Sequence, residues 1–180
     1  MLRFFIVFVA ILVTLFAAEL TQPVQNAVVL PWTEALAQIS AGLITLFDAN
    51  VVAFGKIIQS TTNGFAVSIE AGCNGIEAAI VLIAAMLAFP APWKHRVIGI
   101  LAGLLAVQLL NIVRVISLFY LGQWNMQAFD WAHLYLWQAL IMLDVLIVWL
   151  VWIRMLPAPS SSGTPPPPSA DAPTPEATAL

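Results

Sequence analysis

Apolar runs too long to be hidden inside a small water-soluble domain constrain this sequence more than anything else in it. Phe4 to Ala18 follows Arg3 without a single charge, and Ile76 to Phe89, Val97 to Leu121 and His133 to Ile153 are further runs of the same kind. A bilayer-spanning helix takes about 20 residues, so a chain of 180 residues has room for a few spans and short extras. Hydrophobic residues make up 62% of the chain and charged residues 8%. Soluble domains hold about 45–50% and about 25%. The expected fold is an all-α membrane protein with about four transmembrane helices. Its formal charge of −3 rests on few groups, and no basic tract points to nucleic acid as a partner.

The first run suits either a span or the apolar part of a signal peptide. The residues before Glu19 lack a small-x-small cleavage pattern, so a retained helix is expected. Lys and Arg near helix ends favour the cytoplasmic side. Arg3, the Lys94-His95-Arg96 cluster and Arg154 share one side if the four runs alternate. Both termini are therefore expected in the cytoplasm of a bacterial inner membrane. The segment Trp32 to Asp48 contains AGLITLF but is broken by Glu34, Gln38 and Asp48, with Trp32, Leu36, Ile39, Leu43 and Leu46 on one side. A fifth span would move Lys94 and Arg96 outside, so this segment reads as an amphipathic helix at the outer leaflet. VVAFGKIIQS and FAVSIE flank Thr61-Thr62-Asn63-Gly64, and Asn-Gly between β-rich stretches is a strong hairpin signal. A short extracytoplasmic β-hairpin is thus expected to lead into Cys73. After Arg154 the chain becomes rich in Pro and Ser and lacks aromatic residues, too polar to bury a core. Residues 1–156 are expected to form the membrane domain and 157–180 a disordered cytoplasmic tail.

Polar residues inside such runs are costly, about 2.5–3.5 kcal/mol for a charge at a helix centre on insertion scales, and they mark candidate sites. Arg114 lies 18 residues beyond Arg96, about 27 Å along a helix, which places it near the outer boundary. Cys73 opens one run from the outside and His133 opens another, so a thiol, an imidazole and a guanidinium converge on one depth. The lone cysteine excludes an internal disulfide, a CxxC pair and a Cys-rich metal site. A metal centre is not expected, because the two histidines fall on opposite sides. The three side chains suit acyl transfer through a thioester, with Cys73 as nucleophile, His133 as base then acid, and Arg114 stabilising thiolate or oxyanion. Gly72 and Gly75 would allow close backbone approach, and the following helix N-terminus adds positive potential.

Asn111 shares the face of Arg114 one turn deeper and is placed to hold the guanidinium or a substrate carbonyl. Glu70 and Glu77 flank the cysteine and are candidates to orient His133 or Arg114. Gln108 and Asp144 both fall near mid-membrane and read as a hydrogen bond between two helices. Asp130 reads as the cap of the last helix. Each feature also has a plainer reading: Cys73 as packing, His133 as one member of an aromatic belt with Trp124, Trp131, Tyr135 and Trp137, Arg114 as a snorkelling anchor.

The stretch E..GCNGIEAA from Glu70, with Asn74 following the cysteine, together with NIVR at Asn111 to Arg114 and the Ala132-His133 pair, resembles the exosortase/archaeosortase family of membrane transpeptidase-like proteases. The resemblance covers about Glu70 to Trp152, and AFPAPW and LNIVRVISLFYLG look most like the exosortase H group. It implies that Cys73, Arg114 and His133 are catalytic. It also implies recognition of C-terminal sorting signals on exported proteins: a short motif, IPTL-like in this group, then a transmembrane helix and a basic end. Cleavage would occur on the extracytoplasmic side, with water or an acceptor amine taking the product; no cofactor is expected. Many members carry further N-terminal spans, whereas the first span and the amphipathic segment are what is expected here ahead of the hairpin. The competing reading is a non-enzymatic membrane protein, a transporter subunit or assembly factor, with Arg114 and Asp144 lining a pathway. Inverted repeats or broken helices would favour it, and neither is seen.

Overall fold

The structure is a computed structural model and describes residues 2–156. The expected disordered tail, 157–180, lies outside the described residues. The elements run α1 (Leu2–Glu19), α2 (Gln22–Ile44), β1 (Val51–Phe54), β2 (Ile57–Ser60), β3 (Ala66–Ser68), α3 (Ile76–Ala88), α4 (Trp93–Trp124) and α5 (Met126–Arg154). Helices α1, α2, α4 and α5 are each long and apolar enough to cross a membrane, and the chain is a multi-pass membrane protein.

The run that begins at Ile76 gives a helix of only 13 residues, about 20 Å long against about 30 Å of hydrocarbon. It stops before Pro90 because a residue preceding proline is pushed out of the helical region, and Phe89 is extended (φ −77°, ψ 134°). Helix α3 sits within the bundle, packed by α1, α4 and α5. Ala78, Leu82 and Met86 recur every fourth residue and are buried against Val107 of α4 and Ile141, Val145 and Trp152 of α5. At the far end of the bundle the Trp152 indole fills the space where a Gly99 side chain would lie, and its Nε1 donates to the His95 carbonyl at 3.0 Å.

Helix α2 differs from expectation in extent. It begins at Gln22, passes through one wide π turn at Gln25–Val29 and ends at Ile44. Its buried residues are Val29, Thr33, Leu36, Ala37, Ser40, Ala41 and Ile44, and Ile39, Leu43 and Leu46 of the apolar stripe are exposed. The buried face meets Val51, Ile58 and Ile69 of the sheet region and Val115 and Phe119 late in α4. Although long enough to span, α2 therefore packs at the sheet end of the molecule.

The expected hairpin is present: Ile58 pairs with Val67, and Ser60 N donates to Phe65 O at 2.8 Å across the Thr61–Gly64 turn. A further strand, β1, was not anticipated. It joins β2 through the two-residue turn Gly55-Lys56, where Gly55 takes φ 54°. The sheet is an antiparallel meander in the order β1-β2-β3.

Helix α5 starts before His133, and its cap is Asn125 rather than Asp130. The Asn125 Oδ1 accepts from Gln127 N and Ala128 N at 2.8 and 3.1 Å. The helix then runs through a π turn at Ala132–Leu136 that contains His133.

Candidate active site

Because α3 is short, the chain from Glu70 to Gly75 enters the bundle as irregular backbone. Such backbone is tolerated at depth only where protein groups satisfy it, and here four successive carbonyls each receive a side-chain donor. Arg114 Nη1 donates to Gly72 O at 3.0 Å, Asn111 Nδ2 to Cys73 O at 3.1 Å, Trp32 Nε1 to Asn74 O at 3.1 Å and Gln108 Nε2 to Gly75 O at 3.3 Å. Gln108, Asn111 and Arg114 recur every third residue on one face of α4, and Trp32 comes from α2. The buried Asn74 side chain accepts from Ile76 N at 3.0 Å, satisfying a free donor at the start of α3, and donates to Thr33 Oγ1 at 3.3 Å. Gly72 and Gly75 have φ of 83° and 75°. A Cβ on Gly75 would also lie 2.7 Å from Gln108 Nε2.

The clamped loop holds Cys73 Sγ 2.8 Å from His133 Nε2. Arg114 Nη2 donates to the same sulfur at 3.6 Å. The π turn carries His133, and Phe129 stacks on its imidazole with centroids 5.6 Å apart and planes 22° apart; wide turns of this kind recur at functional sites. Arg114 is 2% exposed, and the ion pair among the described residues is Lys56 with Glu70, so the guanidinium has no carboxylate partner. Buried charges are normally paired, which leaves this one available to a negative charge arising on the sulfur or on a bound carbonyl. Burial pushes the Cys73 thiol up, Arg114 pulls it down, and Glu77 and Glu70 add to the rise, with a net upward result. The resting thiol thus faces an imidazole placed to take its proton.

The structure brings Cys73, Arg114 and His133 together and uses other candidates differently. Asn111 holds the Cys73 carbonyl and not the guanidinium. Glu77 accepts from Gly72 N, and Glu70 accepts from Lys56 and from Ser68 Oγ, the latter at 2.7 Å, so neither orients His133 or Arg114. The bond to Lys56, then that from Ser68, holds the Glu70 carboxyl below its ordinary range. The expected Gln108–Asp144 bond is not formed: Gln108 serves Gly75, and Asp144 Oδ2 is buried without a partner. Trp32, Thr33 and Phe129 were not anticipated. Trp32 lies 42 residues from its carbonyl, and no local pattern signals a contact at that separation. Among the described residues no three His, Cys, Asp or Glu side chains gather as metal ligands.

A family model described as transmembrane exosortase matches residues 2–151. No curated protein and no solved structure matches the chain. The family match takes in the clamped loop, the Gln108-Asn111-Arg114 face and the π turn alike, and the chain belongs to the transmembrane exosortase family.

Proposed function

We propose that this exosortase-family protein is a membrane-embedded cysteine protease or transpeptidase acting on C-terminal sorting signals of exported proteins. The carrying observation is the sulfur held 2.8 Å from His133 Nε2 beside a buried, unpaired Arg114 guanidinium. His133 takes the thiol proton as Cys73 Sγ attacks the scissile carbonyl. Arg114 faces the negative charge, first on sulfur and then on the tetrahedral oxygen. The C–N bond breaks, the leaving amine takes the proton from His133, and the acyl group remains on Cys73 as a thioester. Water or an acceptor amine then attacks that thioester, giving its proton to His133. Collapse releases the acylated product, and the proton returns to the sulfur.

Orientation follows from the basic residues. Arg3 and Arg96 line one cavity, Lys94 stands at the start of α4, and Arg154 closes α5. The Cys73 loop lies at the other end of α3. The positive-inside rule puts these groups in the cytoplasm and Cys73 on the extracytoplasmic side of a bacterial inner membrane. The test is co-expression with a tagged exported protein that ends in a sorting motif, an apolar helix and a basic tail, followed by its shortening. Cys73→Ala, His133→Ala and Arg114→Ala should each abolish or nearly abolish processing. Unchanged shortening with Cys73→Ala would overturn the reading and favour a non-enzymatic role.

A further inference from the structure

Strand β3 has a neighbour on one side only. Ser60 N donates to Phe65 O at 2.8 Å and Ile69 N to Lys56 O at 3.0 Å, while Val67 faces Ile58. An antiparallel ladder alternates its bonding groups, so Phe65, Val67 and Ile69 use theirs toward β2. The N–H and C=O groups of Ala66 and Ser68 consequently point to the open edge. Both residues are exposed, and among the described residues no hydrogen bond to another segment occupies these groups. The opposite edge is different, since β1 sets buried Val51 against α2. Proteins ordinarily blunt an open edge by charge, proline or a covering element. Here the edge residues Ala66 and Ser68 are small, and the charged Lys56–Glu70 pair stands beside Ser68, whose Oγ donates to Glu70 at 2.7 Å.

The edge also lies close to the sulfur along the chain. Ser68 precedes Cys73 by five residues, and Cys73 N closes a turn onto Glu70 O at 2.9 Å. Phe65, Val67 and Cys73 all pack against one apolar cluster with Ile69. We propose that the open edge of β3 binds the extended peptide segment of the substrate as a fourth strand. Its backbone pairs with Ala66 and Ser68, and its scissile carbonyl is delivered to Cys73. This rests on the proposed cleavage activity and adds where the substrate backbone is held. Strand addition takes affinity from main-chain hydrogen bonds and leaves specificity to alternate side chains. A strand advances about 3.3 Å per residue, so the cut falls within about five residues of the paired segment.

Proline is tolerated on an edge strand where its missing N–H faced outward. Ala66→Pro therefore deletes an edge donor and spares the ladder to β2, whereas Ala66→Val keeps the donor. In the full chain reconstituted in nanodiscs, with the tagged sorting-signal protein as probe, Ala66→Pro should raise KM at least tenfold. Ala66→Val should stay within about twofold of wild type, and Cys73 alkylation should be the same in all three. A substrate N-methylated at single amides near its cleavage site should show the same loss at alternate positions, a readout that needs no variant of the enzyme. A photo-reactive residue replacing Ser68 in Cys73→Ala protein should cross-link to those positions, and this does not depend on turnover. Cross-linking without cleavage by the wild type would keep the edge and remove the activity. Cleavage with Ala66→Pro at wild-type KM and no alternation under N-methylation would remove the edge and keep the activity. Cross-linking to a second copy of this chain, in place of the substrate, would likewise overturn the proposal.

Discussion

Replacing Arg114 with Met tests the electrostatics of the site most directly, because the chain has one cysteine and any thiol reagent reports on it alone. The guanidinium donates to Gly72 O at 3.0 Å and to Cys73 Sγ at 3.6 Å from a buried position. Losing a charged hydrogen bond to the thiolate removes about 2–3 kcal/mol, which is about 30- to 150-fold in thiolate population at neutral pH. A more basic thiolate is also a better nucleophile, with a Brønsted slope of about 0.4–0.5, and recovers about half of that on a logarithmic scale. Iodoacetamide alkylation at pH 7.5 should therefore slow by about 5- to 12-fold in Arg114→Met. The whole pH–rate curve should move to higher pH, since burial already holds the thiol up and Arg114 is what draws it down. Loosening of the loop would speed alkylation without moving the curve, so the two effects separate. Superimposable curves for wild type and Arg114→Met would refute the argument.

Four further outcomes follow from named contacts. Gly75→Ala, at φ 75° and with its Cβ 2.7 Å from Gln108 Nε2, should lower stability in detergent by about 1–3 kcal/mol; Gln108→Ala in the same chain should restore only the steric part. Asn111→Leu leaves the Cys73 carbonyl unpaired and should cost about 1–3 kcal/mol with a parallel fall in processing; an unchanged melting temperature would contradict the clamp. Asp144→Leu removes a buried oxygen without a partner and should be neutral or stabilising, so a loss above about 1 kcal/mol would reveal an unseen role. Glu70→Gln breaks an exposed pair with Lys56 and should cost less than about 1 kcal/mol at neutral pH. Because Lys56 lowers the folded-state titration of Glu70, the wild-type advantage should hold above the unfolded carboxylate range and vanish as pH falls through the lower folded value.

The membrane class, helices α1, α4 and α5 and the Thr61–Gly64 turn were legible because each depends on a short-range rule: the length of an apolar run, or the chemistry of Asn-Gly. The convergence of Cys73, Arg114 and His133 followed from three run boundaries at one depth. Hydropathy did not show where α3 begins, since an apolar stretch reads alike as helix or clamped loop. It also did not show which side of α2 meets protein: small and weakly polar residues such as Ser40 and Ala41 pack inward while Ile39 and Leu43 are exposed. Gln108 was matched with Asp144 by depth alone, whereas its spacing of three from Asn111 pointed to the same loop. Asn125 outcompeted Asp130 as a cap because the chain is extended at Asn125 (φ −155°, ψ 114°), and an N-cap needs that geometry.

The indole seated against Gly99 has a mechanical meaning. Helix α4 is a stiff rod, and Arg114 stands 15 residues along it from that notch, about 22 Å away at 1.5 Å per residue. A tilt of about 5° at the notch would swing the guanidinium by about 2 Å, enough to pull it off the Gly72 carbonyl it reaches at 3.0 Å. The alignment of the sulfur and its cation is thus set partly by how closely two helices touch at the other end of the bundle, where a single added methyl group acts with the whole lever arm.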